Sequence, residues 1–281
     1  MNETTDELAI EPTARRIRIT VAYDGTDYHG WQVQPGLATI QSSLETVLSE
    51  MEGSPVHVAG SGRTDAGVHA LAQVAAFSIT NPIPVANLQR AMNRVLPRDI
   101  RVLDARETAA DFHPRYAAVA KTYEYRILRS EICMPFDRRY VYHHPYPLKE
   151  DNIVELAPLL EGEHDFSAFA ASDPSDAERR APGFSVEHGE ATLLSGRAKY
   201  LTNVRCIYSS RAERTGDRLI YRVRGSGFLK HMVRNIVGVL LEVGKGNLSR
   251  ADIEARLTPE CNIPPGPTAP ARGLFLLGVE Y

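Results

Sequence analysis

A chain of 281 residues, 43% hydrophobic and 24% charged, is long enough to bury a substantial core and points to a soluble globular protein of two domains. Its three cysteines, Cys133, Cys206 and Cys261, stand far apart and outside any CxxC pattern, which argues against a disulfide framework or a structural zinc site and fits a reducing cytosol. The net charge of -3 is unevenly spread: residues 1 to 14 carry Glu3, Asp6, Glu7 and Glu11 without a base, so the remainder stands at +1.

That acidic start has neither a basic n-region nor an apolar h-region, and it reads as a disordered tail rather than a secretory signal. No apolar run reaches the length needed to cross a bilayer. Ile17, Ile19 and Val21 then alternate with polar or small residues, the period of a half-buried strand. A polar and aromatic loop, Tyr23 to Gln32, holds the only Trp. Ile40, Leu44, Val47, Leu48 and Met51 recur at helical spacing behind Thr39, a suitable N-cap. Val56 to Ala59 reads as a short strand leading into Gly60-Ser61-Gly62-Arg63-Thr64-Asp65-Ala66-Gly67-Val68-His69-Ala70. Gln73 to Ile79 is a further strand, Pro84 opens a helix with Val85, Leu88, Met92 and Val95 on one face, and Ile100 to Arg106 is a strand.

The second half repeats this order. Val119 to Leu128 is a strand, and Asp151 to Leu160 a helix that Pro158 should kink or shorten. Val204 to Glu213 and Leu219 to Arg224 form a strand pair around Thr215-Gly216-Asp217. Phe228 to Val243 is a helix apolar nearly all round, Ser249-Arg250-Ala251-Asp252 starts another, and Leu274 to Val279 is the last strand. Both halves spell β-α-β-β-α-β. The expected fold is therefore α+β, two ferredoxin-like (RRM-like, split βαβ) domains whose antiparallel sheets lie side by side around a central cleft. The tail covers 1–14, the first domain 15–115 and the second 116–281, with an insertion-like loop from about Ser172 to Lys199.

The glycine cluster is the stretch that most clearly reads as a site, although a tight surface loop with a solvated Arg would account for its composition. Gly62 to Gly67 has the GxxxxG spacing of a P-loop, but Val68-His69 stand where Lys and Ser/Thr are required. The dinucleotide fingerprint fails too, since Asp65 replaces its third Gly. His188-Gly189-Glu190 lacks the PCxxC partner of zinc deaminases, His143-His144 have no ligand-spaced companion, and neither Ser61 nor Ser226 sits in GxSxG. What survives is the carboxylate of Asp65, able to act as nucleophile or base without a cofactor, with Arg63 nearby. Tyr123 and Tyr125 share a strand face between basic residues, as a stacking platform for unpaired bases would, or as core tyrosines would. From Arg197 to Arg234 ten basic residues face two acids, an imbalance expected of a phosphate-facing surface. Within it, Lys230 and Arg234 stand i, i+4 on the apolar helix, where an arginine needs an anionic partner.

These residues resemble the tRNA pseudouridine synthase A family. The resemblance runs from Ile17 to Tyr281, through Tyr23-Asp24-Gly25-Thr26, Gly30-Trp31-Gln32, the highly specific Arg63 to Ala70 run, Phe112-His113-Pro114-Arg115 and Lys121-Thr122-Tyr123-Glu124-Tyr125. It continues through His164 to Phe169, Gly227-Phe228-Leu229, Met232-Val233-Arg234-Asn235 and Gly273-Leu274-Phe275-Leu276. It implies a cytoplasmic, cofactor-free and metal-free homodimer that acts on tRNA away from membranes, isomerising uridine to pseudouridine in the anticodon stem-loop at positions 38, 39 and 40. By the same resemblance Asp65 is the catalytic aspartate, Tyr123 packs on the target base and serves as base at C5, and Arg234 pairs with the carboxylate. Arg63, Arg115, Arg205, Phe228, Lys230 and His231, together with Tyr123, are implied to bind substrate. The extra stretch around Asp173 to Lys199 and the acidic tail depart from the family pattern. A non-catalytic RNA-binding protein of paired RRM-like domains is the competing reading, and a carboxylate-dependent nucleoside hydrolase is the third. No RNP-type aromatic motif supports the first of these.

Overall fold

The computed structural model describes residues 13–171, 202–258 and 263–281. The tail acids, the Ser172 to Lys199 stretch with His188, Arg197 and Lys199, and Cys261 lie outside the described residues.

Strand β1 (Arg15–Tyr23) turns Ile17, Ile19 and Val21 fully into the core, as its alternation requires. It pairs antiparallel with β3 (His69–Ile79) on one side and β4 (Ile100–Glu107) on the other. Helix α1 (Ile40–Glu52) begins at a reciprocal cap, Thr39 with Ser42, and ends at Gly53 with φ +76°. The expected strand from Val56 to Ala59 is displaced to a two-residue β2 (Ala59–Gly60). The cause is local: the Val56 N–H donates to Ser49 Oγ at 2.9 Å and the Val58 N–H to Glu45 Oε1 at 3.0 Å, so side chains of α1 take the donors a ladder would need. In α2 (Val85–Val95) Leu88 and Met92 are buried as expected, but Val95 is 54% exposed and Leu96, just past the helix end, fills the core instead.

The second half supplies β5 (Ala120–Leu128), β6 (Tyr142–His143), α3 (Glu150–Leu156), β7 (Gly162–Asp165), β8 (Val204–Thr215), β9 (Arg218–Gly225), α4 (Met232–Lys245), α5 (Arg250–Arg256) and β10 (Leu274–Glu280). Pro158 shortens α3 as expected, converting its end to a 3-10 turn over Ala157–Leu160. Ser249 and Asp252 cap α5 reciprocally. Helix α4 starts at Met232, four residues later than its apolar run suggests, so Lys230 precedes the helix and does not share its face with Arg234. The delay comes from His231, whose φ of +60° cannot continue a right-handed helix backwards.

The architecture is α+β, with one large mixed sheet and few helices. Among the described residues the strand order is β4-β1-β3-β10-β5-β9-β8-β7, with β2 added to β3 and β6 to β5. The last strand, β10, lies between β3 and β5 and so joins the two halves. Its parallel seam with β3 is short, matching only Phe275 to His69 and Leu276 to Ala70, while β2 takes the same edge farther along at Ala75 and Ala76. Residues 61–68 connect β2 to β3 beside this junction.

Sheet register also changes the meaning of the basic run. Arg222 sits directly opposite Glu124 and pairs with it at 2.7 Å, and also with Glu213 at 2.8 Å. Arg224 pairs with Glu280 at 2.6 Å, Arg214 with Glu150 at 2.6 Å, Arg218 with Asp137 at 2.9 Å, and Arg211 with Glu161. Acids distant in sequence thus meet most of these arginines, and the run is not the continuous phosphate-facing surface that a count along the chain suggests. Burial works against ionisation of Glu124, but hydrogen bonds from Arg126 and Arg222 outweigh it and hold the carboxyl below its ordinary range. A depressed carboxylate contributes stability that is present above the unfolded value, about pH 4.3, and lost as pH falls through the folded one. Glu124→Gln is therefore expected to cost about 2 kcal/mol at pH 7, with the deficit against the parent closing as urea midpoints are followed to acid pH.

Candidate active site

The turn from Ser61 to Val68 is held on its outer side by the loop that follows β1. The Trp31 N–H donates to Thr64 O at 3.0 Å and the Gly67 N–H to Tyr28 O at 3.3 Å. Two glycines allow this approach: a Cβ on Gly30, already at φ +86°, would lie 2.5 Å from Thr64 O, and one on Gly60 would lie 2.5 Å from the Trp31 ring. Within the turn the Val68 N–H returns to Asp65 O at 3.1 Å, and Gly67 takes φ +77°. The backbone of the turn is fixed by these bonds, leaving the Asp65 side chain to project.

A buried polar network supports the turn from beneath. Tyr23 Oη and Thr64 Oγ1 are 2.8 Å apart, Ser61 Oγ donates to Gln73 Oε1 at 2.5 Å, and Gln73 Nε2 donates to Gly62 O at 2.9 Å. Lys121 Nζ, reaching across from β5, donates to Ser61 O at 2.6 Å. Tyr23, Ser61, Thr64, Gln73 and Lys121 are all buried. The Ser61, Gly62, Thr64 and Asp65 carbonyls of the turn therefore have partners, as buried backbone acceptors must.

Helix α4 delivers the counter-charge. Arg234 Nη1 donates to Asp65 Oδ2 at 2.9 Å and its Nε to Ala269 O at 2.8 Å, which fixes the guanidinium at two points. His231 Nε2 stands 3.6 Å from the same Asp65 oxygen. Tyr123 on β5 lies nearly buried, edge-on to Phe228 with ring centroids 5.1 Å apart. Burial above all, then the neighbouring Tyr23 and the Asp65 carboxylate, push its phenol well above the ordinary tyrosine range.

These groups surround a cavity of about 520 Å³, within the range of small-ligand sites. Asp65, Tyr123 and Arg234 line it, and so do Arg63, Arg115, Arg205, Phe228, Lys230 and His231, so the structure brings to one place all nine residues to which the resemblance gives a role. Their manner differs. Arg63 donates to Gln32 Oε1 at 3.1 Å, whereas Arg205 is a buried wall residue whose guanidinium donates to the carbonyls of Thr202 and Val204 at 2.7 and 2.6 Å. Tyr125 does not join Tyr123 as a platform. It is wholly buried, its hydroxyl donating to Pro270 O at 2.7 Å, with Gly273 leaving room for its ring.

Sequence reasoning assigned no role to Lys121, Gln73 or Tyr23. Lys121 could have been noticed, because it shares a face of β5 with Tyr123 two residues on; Gln73 read only as a strand position and Tyr23 only as the start of a polar loop. The arrangement offers a carboxylate oriented by a guanidinium beside an aromatic floor, suited to nucleophilic or proton-transfer chemistry on a planar base and its sugar. Among the described residues no three His, Cys, Asp or Glu side chains gather as a metal ion would need, and no helix is long and apolar enough to cross a membrane.

Comparison with known proteins bears on this arrangement. The model of a family described as tRNA pseudouridine synthase matches residues 19–117 and 156–281. A tRNA pseudouridine synthase A from Solibacter usitatus is 61% identical over 267 residues, covering 95% of this chain and all of that protein. Proteins of the same name from Halalkalibacterium halodurans and Geobacillus kaustophilus are 41% and 40% identical, over 93% and 95% of this chain and 90% and 95% of their own lengths. Among solved structures a Cbf5-Nop10-Gar1 complex aligns over 80% of this chain and 54% of its own, at 13% identity and a TM-score of 0.28, too low to carry an argument.

Proposed function

Because the chain belongs to the tRNA pseudouridine synthase family, we propose that the cavity at Asp65 is where it isomerises uridine to pseudouridine, on the 3′ side of the tRNA anticodon stem-loop. The Asp65–Arg234 pair carries this reading: one oriented carboxylate facing a nucleoside-sized cavity. The reaction breaks C1′–N1 and forms C1′–C5, with no redox change and no call on ATP. Asp65 acts on the ribose, by direct attack at C1′ or by starting a glycal route, while Arg234 orients it and Tyr123 and Phe228 bracket the detached uracil. The target must leave its stack, at about a few kcal/mol, and Arg63, Arg115 and Lys230 at the cavity wall are suited to offset this through phosphate contacts.

On this reading the chain divides near Arg115 into two ferredoxin-like units, 15–115 and 116–281. Support comes from the strand orders β4-β1-β3-β2 and β10-β5-β9-β8, which are the same order twice. The cavity draws residues from both units. The protein works in the cytoplasm as a homodimer, without a cofactor; light scattering tests the dimer.

Incubation with unmodified tRNA, mapping pseudouridine while assaying free uracil, tests the activity. Pseudouridine in the anticodon stem-loop with no uracil release is expected. Binding without chemistry would instead indicate an RNA-binding module, and uracil release a hydrolase.

A further inference from the structure

His231 is the one residue other than glycine with a positive φ among the described residues, at +60°. Such a backbone is strained for a residue that carries a side chain and persists where the surroundings impose it, often at functional sites. Here the strain places an imidazole at the start of α4, lining the cavity with its side chain 31% exposed and Nε2 3.6 Å from Asp65 Oδ2. The reaction needs a proton acceptor at that point. Once C1′ has moved from N1 to C5, C5 carries both the sugar and its original hydrogen. That hydrogen must leave as a proton, its bonding pair restoring the C5–C6 double bond, and a proton must reach N1, which kept the electrons of the broken bond.

The Asp65 carboxylate is at C1′, and the base is re-attached there, so His231, 3.6 Å from Oδ2 in the same cavity, borders the space that C5 comes to occupy. Arg234 and Arg63 are permanent cations that cannot accept a proton, and Lys121 is committed to Ser61 O. Burial raises the Tyr123 phenol well above its ordinary range and so disfavours the phenolate, which argues against the part of base at C5 that the resemblance implies for it and leaves it a packing surface and donor. A neutral imidazole nitrogen can accept a proton and return it, and of the two histidines lining the cavity, His29 and His231, it is His231 that stands against Asp65.

We infer that His231 takes the proton from C5 at Nε2 and returns a proton to N1, a role that rests on the pseudouridine reading of the Asp65 cavity. The test compares tRNA carrying uridine, 5-deuterouridine or 5-fluorouridine at the target in single turnovers. Fluorine cannot leave C5 as a proton, so 5-fluorouridine reports glycosidic cleavage and C–C bond formation alone. His231→Asn, which tolerates this φ, is expected to slow uridine conversion about 100-fold, to enlarge the 5-deuterium isotope effect, and to slow consumption of 5-fluorouridine far less. His231→Gly, unstrained at this φ, carries the same comparison if Asn unsettles the start of α4, and added imidazole should restore uridine turnover in it. Equal slowing of uridine and 5-fluorouridine, or no slowing of uridine, overturns the inference while leaving the enzyme a synthase. A parent protein that forms no pseudouridine sinks the underlying reading, and the inference falls with it.

Discussion

Asp65→Asn is expected to fold and bind tRNA as the parent does while forming no pseudouridine. The substitution keeps the shape of the side chain and an oxygen that can accept from Arg234, so the turn, fixed by backbone bonds to Trp31, Tyr28 and Gln73, should not move. What it removes is the negative charge, and with it the nucleophile or base. Removing the acting group of such a unit typically costs at least on the order of 10⁴-fold in rate. Weakening the pair with Arg234 should cost about 1–2 kcal/mol of stability, because the guanidinium keeps its second bond to Ala269 O. Three measurements separate these effects: single-turnover pseudouridine formation, tRNA affinity at a fixed salt concentration, and thermal unfolding. Substantial residual turnover with intact binding would remove Asp65 from the chemistry, and loss of binding would make it a substrate contact.

Locally determined features were legible in the sequence. The alternation in β1, the reciprocal caps at Thr39 and Ser249 and the break at Pro158 each depend on neighbours within one turn of chain. The features that eluded it depend on distant partners. Ser49 and Glu45 take the donors of Val56 and Val58, and nothing in the Val56 to Ala59 pattern signals this. The arginines of the basic run look unopposed along the chain, yet register across the sheet sets Glu124 against Arg222 and Glu280 beside Arg224. Asp65 stood out because glycines crowd around it, and the structure gives the reason in the close approach of Trp31 and Thr64 to Gly60 and Gly30. The support beneath it, Lys121 and Gln73, acts across 60 and 11 residues and left only single polar residues in strand patterns.

Arg234→Lys should keep the charge and lose the geometry. The guanidinium divides its donors between two acceptors, Nε to Ala269 O at 2.8 Å and Nη1 to Asp65 Oδ2 at 2.9 Å. The Ala269 N–H in turn donates to Arg234 O at 3.1 Å, so this residue is gripped at backbone and side chain by the segment that runs into β10. A lysine ammonium is a single point of charge on a flexible stem and cannot reproduce a planar fork bound at two points. The carboxylate then has a counter-ion without a fixed direction, and misplacement of a reacting group by about 1 Å costs on the order of 10²-fold. The expected result is a fall of that size in the single-turnover rate, tRNA affinity close to the parent's, and a loss of about 1–2 kcal/mol in stability from the vacated Ala269 carbonyl. The double variant with Asp65→Asn decides whether the two act as a unit: if Arg234 works through Asp65, the second substitution adds no further loss of rate. Independent losses that multiply would mean that Arg234 contacts the substrate itself, and a fully active lysine variant would mean that charge alone suffices at this position.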